Sequence, residues 1–248
     1  THFNYSANEA LWPVLQALEG HHGTLRQFID EAYFGAIRNV HRHGWLLIYL
    51  FGNSPAICKS FFQGRESLAS RFDRLDADTW YRPYATSLRM SDIGYRNDNQ
   101  TSLDISLNNI DDYVASLEAA INQPYAPYES IGVKVDGEYR QLNANILQIE
   151  NEYYNAIRPK QITRSGEKPT LALRKRGVRY LEVRALDLSS YDPAGIALDE
   201  IRFLETFMLF CLLTDSPPLT DSAKAEGNRN SLSVACCARG PGFRLFRD

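Results

Sequence analysis

The chain has 248 residues, and 44% of them are hydrophobic, which suffices for one large domain with a substantial core. Its 27 lysines and arginines nearly balance its 30 aspartates and glutamates, so the net charge is only -3, and no long run carries a single sign. This balance argues against a nucleic-acid-binding surface or an acidic tail. The most apolar run, WLLIYLF at residues 45–51, is far too short to cross a bilayer.

Cysteine usage and the first residues bear on cellular location. The cysteines show neither CxxC spacing nor a disulfide framework, and no signal-like segment opens the chain. A reducing, cytoplasmic location without membrane association is therefore expected. The chain begins with THFNYS, without an initiator methionine and already inside a predicted strand, which is the pattern expected of a fragment.

The first half of the chain predicts one strand, one long helix and a loop. His2 and Asn4 fall on one face of the opening strand. Thr24 is the predicted N-cap of a helix that continues through or bends at Gly44 into WLLIYLF, and a further helical turn is expected over 56–62. The segment from Gly64 to about residue 102 has many turn-forming residues but also aromatics and arginines, which indicates a long functional loop.

The middle of the chain begins with a well-marked helix. Asn109 is its predicted N-cap, and Pro124 follows its end. Asp136-Gly137 then predicts the turn of a β-hairpin. Alternation over 146–150 suggests a strand that leaves into a loop at Pro159, with a helix as the alternative.

The last part predicts a short helix after Pro169, a strand at YLEVR (residues 180–184) and an apolar helix that ends before Pro217. Residues 219–248 show no interpretable pattern. The mixture of helices and strands predicts an α/β or α+β domain.

The stretch YLEVR places acid and base on one face of a strand. Tyr180, Glu182 and Arg184 point one way, and Leu181 and Val183 point the other. A salt bridge on a solvated face is the simplest interpretation. The chain contains no P-loop, GxGxxG, HExxH or GxSxG motif, so any chemistry must come from dispersed residues.

An imidazole and a carboxylate on neighbouring strands, here His2 and Glu182, are suitable ligands for a divalent cation, and Arg184 beside them would suit a phosphoryl oxygen. His2 can equally be a hydrogen-bonded strand residue.

Arginines and tyrosines recur together in two other stretches. Arg89 and Tyr95 lie in one, and Tyr154 and Arg158 lie in the other. Guanidinium and phenol groups both donate to carboxylates, although tyrosine rings packed under arginines explain the pattern as well.

Several long, aperiodic stretches together resemble the proteobacterial type of glutamate–cysteine ligase, over about residues 1–220. In chain order they are HFNYS, GWLLIYLFGNSPAIC, PYATSLRMSDIGY, LQIENEYYNAIRPK, TRSGEKP and YLEVRALDL.

The resemblance implies an α+β fold: a glutamine-synthetase-like, curved, mainly antiparallel sheet, incomplete here, with helices packed outside. Residues 1–248 would be a single catalytic-domain fragment, and residues 219–248 match only loosely. The implied reaction joins the γ-carboxylate of L-glutamate, through γ-glutamyl phosphate, to the amine of L-cysteine, with ATP as co-substrate. It is the first step of glutathione biosynthesis.

The same resemblance assigns roles to residues. His2 and Glu182 would bind Mg2+, with Mn2+ as an alternative, and Arg184 would stabilise the transferring phosphoryl group. Arg89 would bind the glutamate carboxylate. Tyr95 and Tyr154 would donate to the carboxylate of the incoming cysteine. The implied partners are these small molecules, with no nucleic acid and no membrane, and a monomer is favoured.

The resemblance also places further metal-binding acids N-terminal to Thr1, so the fragment alone is expected to be inactive or nearly so. Three alternatives stay open at this point. The first is a related ligase that joins glutamate to another amine, and the second is the ligase half of a bifunctional glutathione synthetase. The third is a non-catalytic α/β interaction module in which YLEVR is only a salt-bridged strand.

Overall fold

The computed structural model describes residues 2–94 and 103–246. Its helices are Leu11–Leu18 (α1), Leu25–His43 (α2), Trp45–Phe51 (α3), Ile110–Asn122 (α4), Ala126–Ile131 (α5), Pro169–Arg176 (α6), Leu198–Leu213 (α7) and Asp221–Cys237 (α8). Its strands are Phe3–Tyr5 (β1), Ala56–Cys58 (β2), Asp73–Arg74 (β3), Thr79–Tyr81 (β4), Lys134–Val135 (β5), Glu138–Tyr139 (β6), Ile157–Lys160 (β7) and Tyr180–Val183 (β8). Short 3-10 turns cover Lys59–Phe62, Glu66–Arg71, Leu88–Met90 and Glu150–Glu152.

The strands form three small antiparallel sheets in the order β1-β8-β7, β2-β4-β3 and β5-β6. In the first sheet, Glu182 of β8 lies opposite Asn4 of β1 and Arg158 of β7. This register brings the beginning of the chain next to a strand that follows it by well over a hundred residues. The α+β class is thereby confirmed, and within the described ranges no sheet closes into a barrel.

Helix α2 is the central element of the main core. A capping box begins it, because the Thr24 side chain accepts from the Gln27 backbone and Gln27 Oε1 accepts from the Thr24 backbone N–H. The helix packs against α1, α7, α8 and β7. On the apolar face of the β1-β8-β7 sheet, Leu181 and Val183 are fully buried in the same core, and Phe3 and Tyr5 pack against it partly buried. Burial of each such side chain contributes about 1.5–3 kcal/mol.

A second, smaller core holds the region between α3 and Gly94. Its buried members are Phe62, Phe72, Ala85, Leu88 and Ile93, with Trp80 of β4 packed against them. The predicted helical turn over 56–62 is therefore only partly correct, because strand β2 precedes the 3-10 turn. The predicted loop after Gly64 contains two further strands, β3 and β4.

The strand predicted over 146–150 is wrong. Glu150 begins a 3-10 turn, and the strand comes later, as β7, with Pro159 inside it. Proline is tolerated there because β7 is the outer strand of its sheet, where a missing N–H breaks no ladder of hydrogen bonds.

Residues 219–248 include a full helix, α8, which the sequence pattern did not reveal. Thr220 caps it by accepting from the Ala223 backbone N–H. The helix lies so close to α2 that a Cβ on Gly227 would meet the His41 backbone oxygen at 2.8 Å. In the described part of the chain, no helix has both the length and the apolar character needed to span a bilayer.

Candidate active site

The three strands of the β1-β8-β7 sheet carry polar side chains on the face opposite the core. Directly paired residues share a face in an antiparallel sheet, so Asn4, Glu182 and Arg158 form one row and Lys160 lies beside Tyr180. His2 and Arg184 continue the same alternation at the adjacent end. We call this surface, with His2, Asn4, Lys160, Glu182 and Arg184, the polar face.

Glu182 lies at the centre of the polar face and is held loosely. Its Oε1 is 3.4 Å from His2 Nδ1, and its Oε2 is 3.5 Å from Lys160 Nζ. The Glu182 side chain is 12% exposed, whereas that of His2 is 51% exposed. These distances exceed those of strong charge-assisted hydrogen bonds, so the carboxylate retains capacity for another ligand.

Burial and nearby cations control the protonation of this face. Burial, together with Arg184 and Lys160, lowers the pKa of His2, and Glu182 opposes the shift. Burial also lowers the pKa of Lys160, with Arg158 acting in the same direction. The imidazole is thus kept neutral at physiological pH, which is the form that binds metal ions.

The polar face offers two suitable ligands for a divalent cation, His2 and Glu182. A neutral imidazole and a carboxylate are appropriate ligands for Mg2+ or Mn2+. However, no group of three or more histidine, cysteine, aspartate or glutamate side chains with metal-site geometry occurs within residues 2–94 and 103–246. His2 and Glu182 therefore fit such an ion as part of a larger ligand set.

Arg184 follows β8 and is positioned by its backbone and by an aromatic ring. Its N–H donates to the Ala156 carbonyl at 2.7 Å, and its guanidinium carbon lies 5.1 Å from the centroid of the Tyr154 ring. Among the described residues, its buried Nε has no hydrogen-bond partner. An unpaired buried donor is costly, so this group is suited to an acceptor supplied by a ligand.

Arg89 is bound very differently. Its Nε donates to Asp187 Oδ1 at 2.8 Å, and its terminal nitrogens donate to the carbonyls of Arg184 at 3.1 Å and Leu186 at 2.7 Å. Asp187 is buried and also accepts from Ser54 Oγ at 2.7 Å and from the backbone N–H of Asn53 at 2.9 Å. We call Arg89 and Asp187 the clamp, because together they join three distant stretches of backbone.

Tyr154 connects the clamp to the polar face. Its hydroxyl accepts from Arg89 at 3.3 Å and lies 3.2 Å from Met90 Sδ, while its ring lies under Arg184. It also lines a cavity of about 190 Å3 between α2, α8 and residues 153–157. Tyr95, the other tyrosine predicted to bind cysteine, lies outside the described residues.

The structure thus brings the predicted site residues within the described ranges into two contacting groups, which strand β8 places side by side. His2 contacts Glu182, and Arg184, Tyr154 and Arg89 contact one another. Sequence reasoning missed Asp187 and Lys160. Both lie within the quoted motifs, and the signal for Asp187 was a single acid in the apolar run RALDL.

Other residues of the motifs support the fold. The Glu150 carboxylate is buried and accepts from the Thr170 backbone N–H and hydroxyl, both at 2.7 Å, which caps the N-terminus of α6. Arg158 is also buried, and its guanidinium points toward the carbonyls of Glu150 and Asn151. It is therefore not exposed for carboxylate recognition beside Tyr154.

An antiparallel sheet backed by helices, with an imidazole, a carboxylate and two cations on its open face, is the arrangement of an α+β domain suited to anionic ligands. The family model for glutamate–cysteine ligase matches residues 1–234. The chain therefore belongs to the glutamate–cysteine ligase family.

Individual relatives agree with this assignment. The chain is 51% identical over 247 residues to the glutamate–cysteine ligase of Shewanella amazonensis, covering 100% of this chain and 47% of that protein. It is also 51% identical to the Pseudomonas putida enzyme, of which it covers 46%, with 100% of this chain aligned. The chain thus spans about half the length of the curated relatives it matches.

Solved structures show the same fold. The crystal structure of glutamate–cysteine ligase from Francisella tularensis in complex with AMP matches with a TM-score of 0.89 at 37% identity, covering 98% of this chain and 47% of that one. A bifunctional glutathione synthetase from Pasteurella multocida matches with a TM-score of 0.67 at 23% identity, covering 95% and 26%. This second likeness concerns the fold alone.

Proposed function

We propose that the chain forms part of the active site of a glutamate–cysteine ligase, which uses ATP to join the γ-carboxylate of L-glutamate to the amine of L-cysteine. The product, γ-glutamylcysteine, is the first intermediate of glutathione biosynthesis. Family membership supports this proposal, and the Francisella tularensis relative was crystallised with AMP. The observation that carries it is the polar face, where a loosely held carboxylate adjoins an arginine with an unpaired buried donor.

Arg184 is proposed to act on the transferring phosphoryl group. The reaction brings a carboxylate against a polyphosphate, and both are anionic, so catalysis depends on positive groups placed where charge develops. The stacked guanidinium is held in position before the substrate arrives, and within residues 2–94 and 103–246 no group accepts from its Nε. A single preorganised donor of this kind is typically worth about 3 kcal/mol of transition-state stabilisation.

His2 and Glu182 are proposed to hold Mg2+, or Mn2+ in its place, which when bound would neutralise phosphate oxygens. The neutral imidazole of His2 and the loosely held carboxylate of Glu182 suit this role. Glu182 can leave its loose contacts with His2 and Lys160 at little cost, because neither distance is that of a strong ion pair.

Arg89 and Tyr154 are proposed to bind substrate carboxylates, Arg89 that of glutamate and Tyr154, with Tyr95, that of cysteine. The nitrogens of Arg89 already donate to Asp187 and to two backbone carbonyls, so glutamate binding requires it to share or exchange one of these bonds. The Tyr154 hydroxyl is better placed, because its contact with a methionine sulfur is a weak one to replace.

We further propose that the activity belongs to a polypeptide about twice as long as this chain. The lengths of the relatives support this, and so does a ligand set of only two donors in the described part of the chain. The 248-residue chain alone is then expected to release phosphate very slowly or not at all.

Phosphate release that depends on ATP, glutamate and cysteine tests both statements. The chain would be assayed alone and after fusion to the parts of the Shewanella amazonensis enzyme that it lacks. Activity is expected only in the fusion, and it should fall at least about a hundredfold in E182Q and R184M. Rapid turnover by the chain alone would contradict the second statement, and an inactive but folded fusion would contradict the first.

The acceptor can be tested in the same assay. Replacing cysteine with ethylamine removes the carboxylate that Tyr154 is proposed to bind, so catalytic efficiency should fall strongly. Equal efficiency with ethylamine would instead favour a ligase for another amine.

A further inference from the structure

Lys160 is a second cation on the polar face. It lies on β7 opposite Tyr180 and diagonally across from Glu182, with its Nζ 3.5 Å from Glu182 Oε2. Its side chain is 23% exposed, so the ammonium is partly removed from water yet still accessible from the open side of the sheet.

The charges on this face do not balance. Lys160 and Arg184 are both cationic, and Glu182 supplies one carboxylate between them. Arg158, the third cation nearby, is buried and directed toward the 3-10 turn at Glu150–Glu152. Partial burial of surplus positive charge is costly unless an anion offsets it, so the face is suited to a ligand with several negative charges.

The geometry of the Lys160–Glu182 contact argues against a purely structural pair. Glu167 and Arg176, which do form such a pair, approach to 2.6 Å with two bonds between them. The 3.5 Å contact of Lys160 is much looser. A lysine ammonium is a compact point charge on a flexible stem, which can move from a carboxylate to a phosphate without the fixed fork geometry of arginine.

We propose that Lys160 is a phosphate-binding residue, and that its ammonium and the Arg184 guanidinium together bind the polyphosphate chain of a nucleoside triphosphate from two sides of Glu182. This inference rests on the proposed function and adds a residue to it. It makes Lys160 and Arg184 a pair of anion ligands, while Glu182 is released to bind the cation that accompanies the nucleotide.

Binding of inorganic tripolyphosphate and AMP to the 248-residue chain, measured by calorimetry in metal-free buffer, tests the pair. K160M should weaken tripolyphosphate binding about tenfold, as expected for loss of one charge-assisted hydrogen bond, and should leave AMP binding within about twofold. K160R should restore most of the affinity because it keeps the charge. K175M is the matched control, since Lys175 is an exposed lysine of α6, and it should bind like the unmodified chain.

A double-mutant cycle separates direct contact from an effect through Glu182. If Lys160 only positions Glu182, K160M should have no further effect in the E182Q background. If it contacts phosphate, the tenfold loss should persist there. Unchanged tripolyphosphate affinity in K160M, with a loss in R184M, would overturn the role of Lys160 and leave the proposed function intact. Failure of the unmodified chain to bind tripolyphosphate would overturn the Lys160–Arg184 pair, whereas the proposed function is decided separately by phosphate release in the fusion.

Discussion

Two carboxylates of the stretch YLEVRALDL, Asp187 and Glu182, each lie near an arginine. The two sites differ in how far the protein itself satisfies their hydrogen bonds. In the clamp, Asp187 is buried and accepts three hydrogen bonds of 2.7–2.9 Å, one of them from Arg89. On the polar face, the Glu182 carboxylate lies 3.4 Å from His2 and 3.5 Å from Lys160, and the buried Nε of the neighbouring Arg184 has no partner among the described residues. The first arrangement is complete within the protein, and the second leaves donors and acceptors for a ligand.

The difference follows from the cost of burying charge. Burying an ion is costly unless hydrogen bonds replace those it made to water. In the clamp, backbone and side-chain groups from three stretches of chain supply these bonds. Such a pair stabilises the fold, and Arg89 can bind a substrate carboxylate only by sharing or exchanging one of these bonds. The polar face is open on one side, so water and ligands can complete its bonds and its residues can remain unsatisfied by the protein.

The largest effect is expected from breaking the clamp. D187N leaves the Arg89 charge without its counter-ion in a buried site, so the free energy of unfolding should fall by about 3 kcal/mol or more. E182Q, the same kind of change on the polar face, should lower it by clearly less, because the contacts of Glu182 with His2 and Lys160 are long. Urea unfolding of both variants measures the contrast. Equal losses would show that the two carboxylates do not differ as the geometry indicates.

A smaller effect is expected from changing the shape of the clamp but not its charge. R89K cannot reach Asp187 and the carbonyls of Arg184 and Leu186 at once, because an ammonium lacks the planar fork. The loss should be about 2 kcal/mol, the value for a few hydrogen bonds to a charged group. R184K serves as the control, and its stability should change far less, because it loses one stacking contact with Tyr154 and no hydrogen bond from Nε to a described residue. An R89K variant with an unchanged free energy of unfolding would show that Arg89 does not hold the clamp together.

A third pair, Glu167 and Arg176, should contribute a stability that depends on pH. Its expected effect lies between that of the clamp and that of the polar face. Two hydrogen bonds from Arg176, followed by one from the Arg164 backbone N–H, lower the pKa of Glu167 to about 2. A depressed carboxyl pKa stabilises the folded state above the unfolded value of about 4.3. The stabilisation should therefore be constant above about pH 5 and vanish as the pH falls toward 2.

The difference in Tm between the unmodified chain and E167Q, followed from pH 7 to pH 2, measures this contribution. It should shrink only in the acid range. A difference that stays constant to pH 2 would mean that Glu167 is not ionised through its bond with Arg176.

The smallest effect is expected for His2. Its side chain is half exposed, and its contact with Glu182 is loose, so H2N should change the free energy of unfolding by less than about 0.5 kcal/mol. Chemical denaturation measures this change. A loss comparable to that of D187N would place His2 in a structural role and would weaken its assignment as a metal ligand.

Local signals in the sequence predicted most elements that need no distant partner. The caps at Thr24 and Asn109 begin α2 and α4 as expected, and Asp136-Gly137 forms the hairpin turn with φ values of 53° and 86°. Alternation correctly predicted β1 and the polar face of β8. These successes share one cause: each depends on residues that are neighbours in the chain.

Elements whose stability comes from distant packing were missed. Pro159 was interpreted as the end of a strand, although as part of an edge strand it is tolerated inside β7. Helix α8 buries only Gly227, Asn230, Val234 and Ala235, a set too small and mixed to produce a helical pattern. Its position depends on close packing against α2. The sequence of α8 alone carries no local signal for that packing.

By itself, the sequence determined which side chains share a face of an element, because the period of a strand or helix is set by backbone geometry. It also carried the motifs from which the family, and roles for His2, Glu182 and Arg184, were inferred. Only the tertiary structure decided which charges are satisfied. Asp187 meets Arg89 and Ser54 across the fold, while Glu182 and Arg184 stay open. That distinction depends on burial and on contacts between residues far apart in the chain, and a local pattern encodes neither.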